Sequence, residues 1–182
     1  MEFVKMHGTG NDFIFILDLE SKLKGQESKI AKNLCHRRFG IGADGLVLVR
    51  NSNCADMKMD IINSDGSSAN MCGNAIRCFG KYVYENSLVL KDEIKVETGD
   101  GIKVLNLNID EYNIVQDVRV YMGEISFDGS RIPLKDKKEL INEKITVNGK
   151  EYNATSILVG VPHTVILVDD DDYNVEEGKY IE

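Results

Sequence analysis

The chain has 182 residues, enough for one sizeable domain or two small ones. Hydrophobic residues make up 42% and charged residues 29%, which excludes a disordered or collagen-like chain. Its 22 basic and 30 acidic residues leave a net charge of -8, which disfavours general nucleic-acid binding but not a small anion held by backbone N–H groups. The first residues, MEFVKMHGTGND, carry no secretory pattern, and no apolar run reaches membrane-spanning length. A cytoplasmic protein with no nucleic-acid and no membrane partner is therefore expected.

Residues 2–6 and 13–18 read as strands on either side of HGTGND, a Gly- and Asn-bearing loop. Residues 27–39 read as a helix, with Ile30/Leu34 and Ala31/Cys35 as its apolar stripe and Gly40 as its stop. A glycine-rich connection, 40–45, leads into a strand at 46–49. In 57–62, Met57, Met59 and Ile61 alternate with Lys58, Asp60 and Ile62, the pattern of a half-buried strand. Residues 63–74 form a polar loop without periodicity. Residues 75–85 then turn helical: Ile76, Phe79 and Val83 share a face with Ala75 and Tyr82, while Arg77, Lys81 and Glu85 point to water. Gly80 inside that helix costs about 1 kcal/mol relative to Ala, and a close helix–sheet contact is the expected compensation. From residue 92 onward the pattern is β-rich. The apolar phase shifts between Val104 and Leu105, which predicts a bulge or bend there. Asn148-Gly149 between β-prone runs predicts a two-residue hairpin. Residues 157–170 read as two strands joined at Gly160-Val161-Pro162, and 169–172 as a solvated turn. The strand–turn–strand pattern of 2–18 recurs at 157–168, as two copies of one half-fold would give.

The sharpest chemical constellation is Asn70-Met71-Cys72-Gly73-Asn74, directly before the second helix. The positive end of the helix dipole favours a thiolate at Cys72. The free N–H groups of Gly73, Asn74 and Ala75 face the same space and can hold a carboxylate. A base and an anion clamp thus lie within one ligand's length. The bland alternative makes Cys72 a small core residue and Asn74 a helix cap.

The remaining cysteines lack such a context. Cys35 and Cys78 lie on helices and read as packing residues, and Cys54 sits in a loop with no visible partner. No C-x-x-C pair exists and the three histidines are scattered, so neither a metal site nor a disulfide framework is expected. HGTGNDF is not a dinucleotide fingerprint, because a strand rather than a helix follows its glycines. Asn11 and Asn63 each offer a side-chain amide to a polar ligand or an Asx turn. His163, after Pro162, is either structural or the proton partner of a thiol.

In order and spacing, KMHGTGNDF, RRFGIGADGL, NSDGSSANMCGNAIRC and GVPHTV resemble diaminopimelate epimerase. The resemblance implies an α+β fold of two pseudo-symmetric domains, each a curled mixed β-sheet around a central helix. It implies PLP-independent epimerisation of LL-diaminopimelate to meso-diaminopimelate, a precursor of lysine and cell wall, with no cofactor and no metal. Two cysteines act on opposite faces of the stereocentre. Cys72 matches the first, His163 the histidine that assists it, Gly73 and Asn74 the carboxylate-binding turn, and Asn11 and Asn63 substrate-contacting asparagines.

Two departures accompany the match. Val161 stands where the family usually has Asn, which opens the alternative of another amino acid as substrate. The family chain is longer, with its second cysteine in a Cys-Gly-Thr turn past residue 182. The expectation is therefore an N-terminal domain over 1–117 and the opening part of a second over 118–182, inactive by itself and self-associating as a homo-oligomer. A non-catalytic half that binds a ligand or pairs with another chain is the competing class. A Cys–His hydrolase built on Cys72 and His163 ranks below both.

Overall fold

Thr9 and Gly10 adopt φ of 56° and 86°, the two left-handed positions of a tight hairpin turn. They join β1 (Val4–Gly8) to β2 (Asn11–Leu17), with Gly8 opposite Asn11 and His7 opposite Asp12. The loop read as HGTGND is thus only its two central residues, and Asn11 is pinned in a ladder. The computed structural model describes residues 1–135, 137–168 and 175–181 and divides into two units, Met1–Tyr121 and Met122–Glu182. A boundary at 117 would cut through β8 (Val115–Val120).

In the first unit, β3 (Gly45–Arg50) runs parallel to β2 and is buried along its whole length. A parallel neighbour needs a crossover, which α1 (Glu27–Leu34) supplies. Ala31 and Cys35 pack on Ile14, Ile16, Leu46, Leu48 and Ile62, one face of the sheet. Ile62, grouped by alternation with the polar face of its strand, is buried under this helix. The other face carries Phe13, Phe15, Val47 and Val49, which pack with α2 (Gly73–Glu85).

The sheet continues through β4 (Met57–Asn63), with the short β5 (Ser68–Ala69) beside it. It then passes to β6 (Glu93–Thr98), β7 (Gly101–Ile109) and β8. β2/β3 and β4/β6 are parallel and the other pairs antiparallel. The helix α2 touches β1 and β8, at opposite ends of the strand order, as well as β2, β4 and β7. One helix can touch both ends only if the sheet curls around it. The architecture is the expected α+β fold with a curled mixed sheet.

Gly80 explains how closely that helix lies. A Cβ there would stand 2.8 Å from Leu105 Cδ2 and 3.2 Å from Leu107 Cδ2. Two readings need correction. The first helix ends at Leu34 rather than 39, because His36 Nδ1 accepts the N–H groups of Arg38 and Phe39 and folds those residues into a turn. No bulge falls between Val104 and Leu105; the register shift lies at Asn108/Ile109. Val104 is a half-buried residue on the face opposite Leu105 and Leu107, so its neighbour breaks no alternation of the backbone.

The second unit is a three-stranded antiparallel sheet of β9 (Glu143–Val147), β10 (Lys150–Val159) and β11 (Val161–Ile166), in the order β11-β10-β9. Asn148 and Gly149, at φ 51° and 82°, make the predicted hairpin turn, and Gly160 at φ 71° turns β10 into β11. A 3-10 turn spans Val175–Tyr180. The solvated turn expected at 169–172 lies outside the described residues.

Candidate active site

The helix α2 starts at Gly73 because Cys72, in extended conformation at φ -146° and ψ 119°, is its N-cap. The first helical bond runs from Ile76 N–H to Cys72 O at 3.0 Å. The N–H groups of Gly73, Asn74 and Ala75 therefore precede the helix's own bonding, and the Cys72 side chain caps none of them. Cys72, Gly73 and Asn74 are half-buried, so thiol and donors stand at a surface that solvent reaches.

The β1–β2 turn packs against this start. A Cβ on Gly8 would stand 2.9 Å from Asn74 O, so the close approach requires glycine. Thr9 Oγ1 donates to Asn74 Oδ1 at 3.4 Å. Arg77 joins the two: its guanidinium donates to Asn74 Oδ1 at 2.6 Å, Thr9 Oγ1 at 2.9 Å and Gly73 O at 3.0 Å. The helical pattern predicts that Arg77 points to water, and the structure instead turns it onto these partners. Its place one turn after Gly73 and Asn74 is the signal that could have shown it reaching back. Asn74 is consequently the second helical residue, with its side chain engaged, and not the cap.

The ladder position of Asn11 aims its side chain at the same place. The Cys72 thiol donates to Asn11 Oδ1 at 3.8 Å, while Asn11 Nδ2 donates to Asp44 Oδ2 at 2.6 Å. Asp44 belongs to a charged cluster that the sequence reading missed. Arg37 bridges Asp12 and Asp44 at 2.7 Å each, and Lys5 lies 3.0 Å from Asp12. The hydrogen bond from Arg37, opposed by partial burial, holds the Asp12 carboxyl below the usual carboxylate range, and the two carboxylates raise the Arg37 guanidinium in turn. RRFGIGADG reads only as a turn-rich connection in one dimension. Folding brings Arg37 and Asp44 to the start of β2.

Asn63 ends β4 opposite Gly45, the residue that β3 pairs with Phe13, so it lies at the same end of the sheet as Asn11. Its side chain donates to Ser67 Oγ at 3.0 Å. The first unit thus brings together Cys72, Gly73, Asn74 and Asn11, with Asn63 on the same sheet end. His163 belongs to the second unit. It is exposed on β11 opposite Ile157 and lines a cleft with Ile132, Pro133 and Leu134.

The other thiols differ sharply. Cys35 and Cys78 are buried in the two cores, and burial pushes the Cys35 thiol up to about 11 and the Cys78 thiol in the same direction. Cys54 is exposed but has partners after all: Ser52 Oγ at 3.6 Å and Glu97 Oε2 at 3.5 Å.

A family model described as diaminopimelate epimerase matches residues 3–127. A diaminopimelate epimerase from Clostridium perfringens is 50% identical over all of this chain and 66% of the relative's length. One from Alkaliphilus metalliredigens is 45% identical, again over all of this chain and 65% of the relative. The chain spans just under two thirds of the length of these relatives. Among solved structures, a probable proline racemase from Agrobacterium radiobacter K84 superposes with a TM-score of 0.66 at 12% identity, covering 90% of this chain and 51% of that one. At that identity the likeness speaks for the fold alone.

Proposed function

Because the chain belongs to the diaminopimelate epimerase family, we propose that it carries the first of the two catalytic cysteines of a cofactor-independent epimerase acting on LL-diaminopimelate. The observation that carries this reading is Cys72 itself: a half-buried residue at the N-cap position of α2, its thiol free of any capping bond, beside three N–H groups that the helix leaves unbonded.

The reaction is an inversion, and it balances as a proton exchange. The Cys72 thiolate takes the α-proton, so an S–H bond forms as the C–H bond breaks. The electron pair left on the α-carbon spreads into the adjacent carboxylate. An α-proton is far less acidic than any side chain in a protein, so the developing charge needs preorganised donors. The N–H groups of Gly73, Asn74 and Ala75 are placed for that, and Gly73 has no side chain to obstruct them. Asn11 and Asn63 orient the polar groups of the substrate from the strand ends.

A second thiol on the opposite face returns a proton to complete the inversion. Cys35 and Cys78 are enclosed in the cores and Cys54 is engaged with Glu97, so we assign that thiol to the part of the whole polypeptide that the relatives have and this chain does not span. The amino-acid substrate and the activity are accordingly those of the whole enzyme.

The test is incubation of the whole enzyme with LL-diaminopimelate in deuterated water. Formation of the meso isomer, with deuterium at one α-carbon, is expected. Cys72→Ala should abolish it, and Cys72→Ser should fail almost as badly, because a hydroxyl does not ionise near neutral pH. Preferential inversion of lysine or histidine would overturn the substrate assignment. Inversion by Cys72→Ala would overturn the mechanism.

A further inference from the structure

We infer that Asp44 is a positioning residue: clamped by Arg37, it fixes the side-chain amide of Asn11 so that the amide oxygen, not the nitrogen, faces the Cys72 sulfur. The functional meaning of this rests on Cys72 being the acting thiol; the geometry and its test do not.

Hydrogen-bond direction fixes the orientation of the amide. A carboxylate only accepts and an asparagine amide has one accepting and one donating end. Asp44 Oδ2 lies 2.6 Å from Asn11 Nδ2, and it also accepts the Asp12 backbone N–H at 3.1 Å. With the nitrogen committed to Asp44, the Asn11 oxygen is the atom left for Cys72 Sγ, at 3.8 Å. Asp44 cannot turn away, because its other oxygen takes Arg37 at 2.7 Å and its backbone N–H donates to Asp12 O at 2.9 Å and Asp12 Oδ1 at 3.1 Å. Arg37 in turn forks onto both Asp12 oxygens, at 3.1 and 2.7 Å.

The consequence is chemical. An S–H group donating to an amide oxygen makes a hydrogen bond that only the thiol can make. Reversal of the Asn11 amide would present N–H groups instead, which a thiolate accepts. Asp44 thereby keeps the Asn11 oxygen against the S–H group, and a ligand that engages that oxygen releases the contact. Asn11 would couple occupancy of the site to activation of the base, with Asp44 holding the resting position.

The test is the rate of iodoacetamide labelling at Cys72 at one neutral pH, followed by peptide mapping, in a double-mutant cycle. Asp44→Ala frees the amide and should speed labelling about fivefold, the equivalent of one neutral hydrogen bond. In an Asn11→Ala background the same substitution should leave the rate unchanged. An unchanged rate in the Asp44→Ala single variant overturns the proposal. Equal acceleration in both backgrounds also overturns it, because Asp44 would then act without Asn11.

A second measurement needs no Asp44 variant and decides the matter if that variant does not fold. The Asn11 side-chain amide protons of the unaltered protein, identified by their loss in Asn11→Ala, should exchange with solvent at least about tenfold more slowly than those of an exposed asparagine. Free exchange overturns the proposal. Neither readout depends on catalysis, so an inactive enzyme with this labelling pattern would count against the proposed function alone.

Discussion

At the scale of single residues, side-chain volume is decided by what lies opposite. Gly80 is the clearest case. In an isolated helix Gly→Ala gains about 1 kcal/mol. Here the added methyl would press on Leu105, Leu107 and Val118 inside a closed core, and overpacking of that kind costs about 1–3 kcal/mol. Gly80→Ala should therefore destabilise the first unit by about 1 kcal/mol net, read as a lower urea midpoint at unchanged slope. A higher midpoint would mean that α2 does not lie as close to β7 as described. The need for glycine was legible in the sequence, because a helix tolerates it only for a reason. The identity of the residues opposite was not, since Leu105, Leu107 and Val118 lie on later strands, far along the chain.

At the scale of elements, one buried charge ties several together. Arg50, at the end of β3, is 7% exposed and donates to Asp18, Glu27 and Asp60 at 2.9, 3.0 and 2.7 Å. It joins the ends of β3 and β2 to the start of α1 and the middle of β4. Burial works against its charge, and the hydrogen bonds it donates to the three carboxylates overcome this and raise the guanidinium. Glu27 is shifted the other way: burial opposes its charge, but backbone N–H groups and Arg50 bring its carboxyl below the ordinary value.

Arg50→Ala should destabilise by about 3 kcal/mol, because the buried Asp18 and the half-buried Glu27 and Asp60 are left without their cation. The sign of the acid response follows from Glu27. A lowered folded-state value contributes stability that is present above the unfolded value of about 4.3 and is lost as pH falls through the folded one. Melting temperature should fall below about pH 4.3 in the unaltered protein, and less steeply in Arg50→Ala. Equal acid slopes would contradict this linkage.

Element existence was largely legible. The 3.6-residue stripe of α2 and the alternation of β4 were plain, as was the Asn148-Gly149 turn, because each rests on local periodicity or local backbone preference. The errors arose where a distant side chain or turn took over. His36 captured the N–H groups that would have continued α1. The α1 helix buried Ile62 on the face that alternation had assigned to polar residues. Thr9 was not an obvious left-handed residue, so a two-residue turn was read as a longer loop.

At the scale of the molecule, the described residues form two units of different architecture: a sheet curled around a helix, and a three-stranded sheet with β11 at one side. The candidate site in the first unit is drawn from three of the sequence motifs, KMHGTGNDF, RRFGIGADGL and NSDGSSANMCGNAIRC. The motifs showed that Cys72 stands before a helix and that Asn11 follows a glycine turn. They could not show that Asp44 and Arg77 hold these pieces in place, because those contacts span the fold. Cys72 is set apart from the other thiols by its position at the start of α2, and a labelling experiment on all four cysteines tests that directly. The four cysteines of the folded protein are labelled with iodoacetamide over a time course near neutral pH, and each is followed by peptide mapping. Cys72 should label first and Cys54 after it, with Cys35 and Cys78 silent until the protein is unfolded. Labelling of Cys54 or Cys78 ahead of Cys72 would contradict the account.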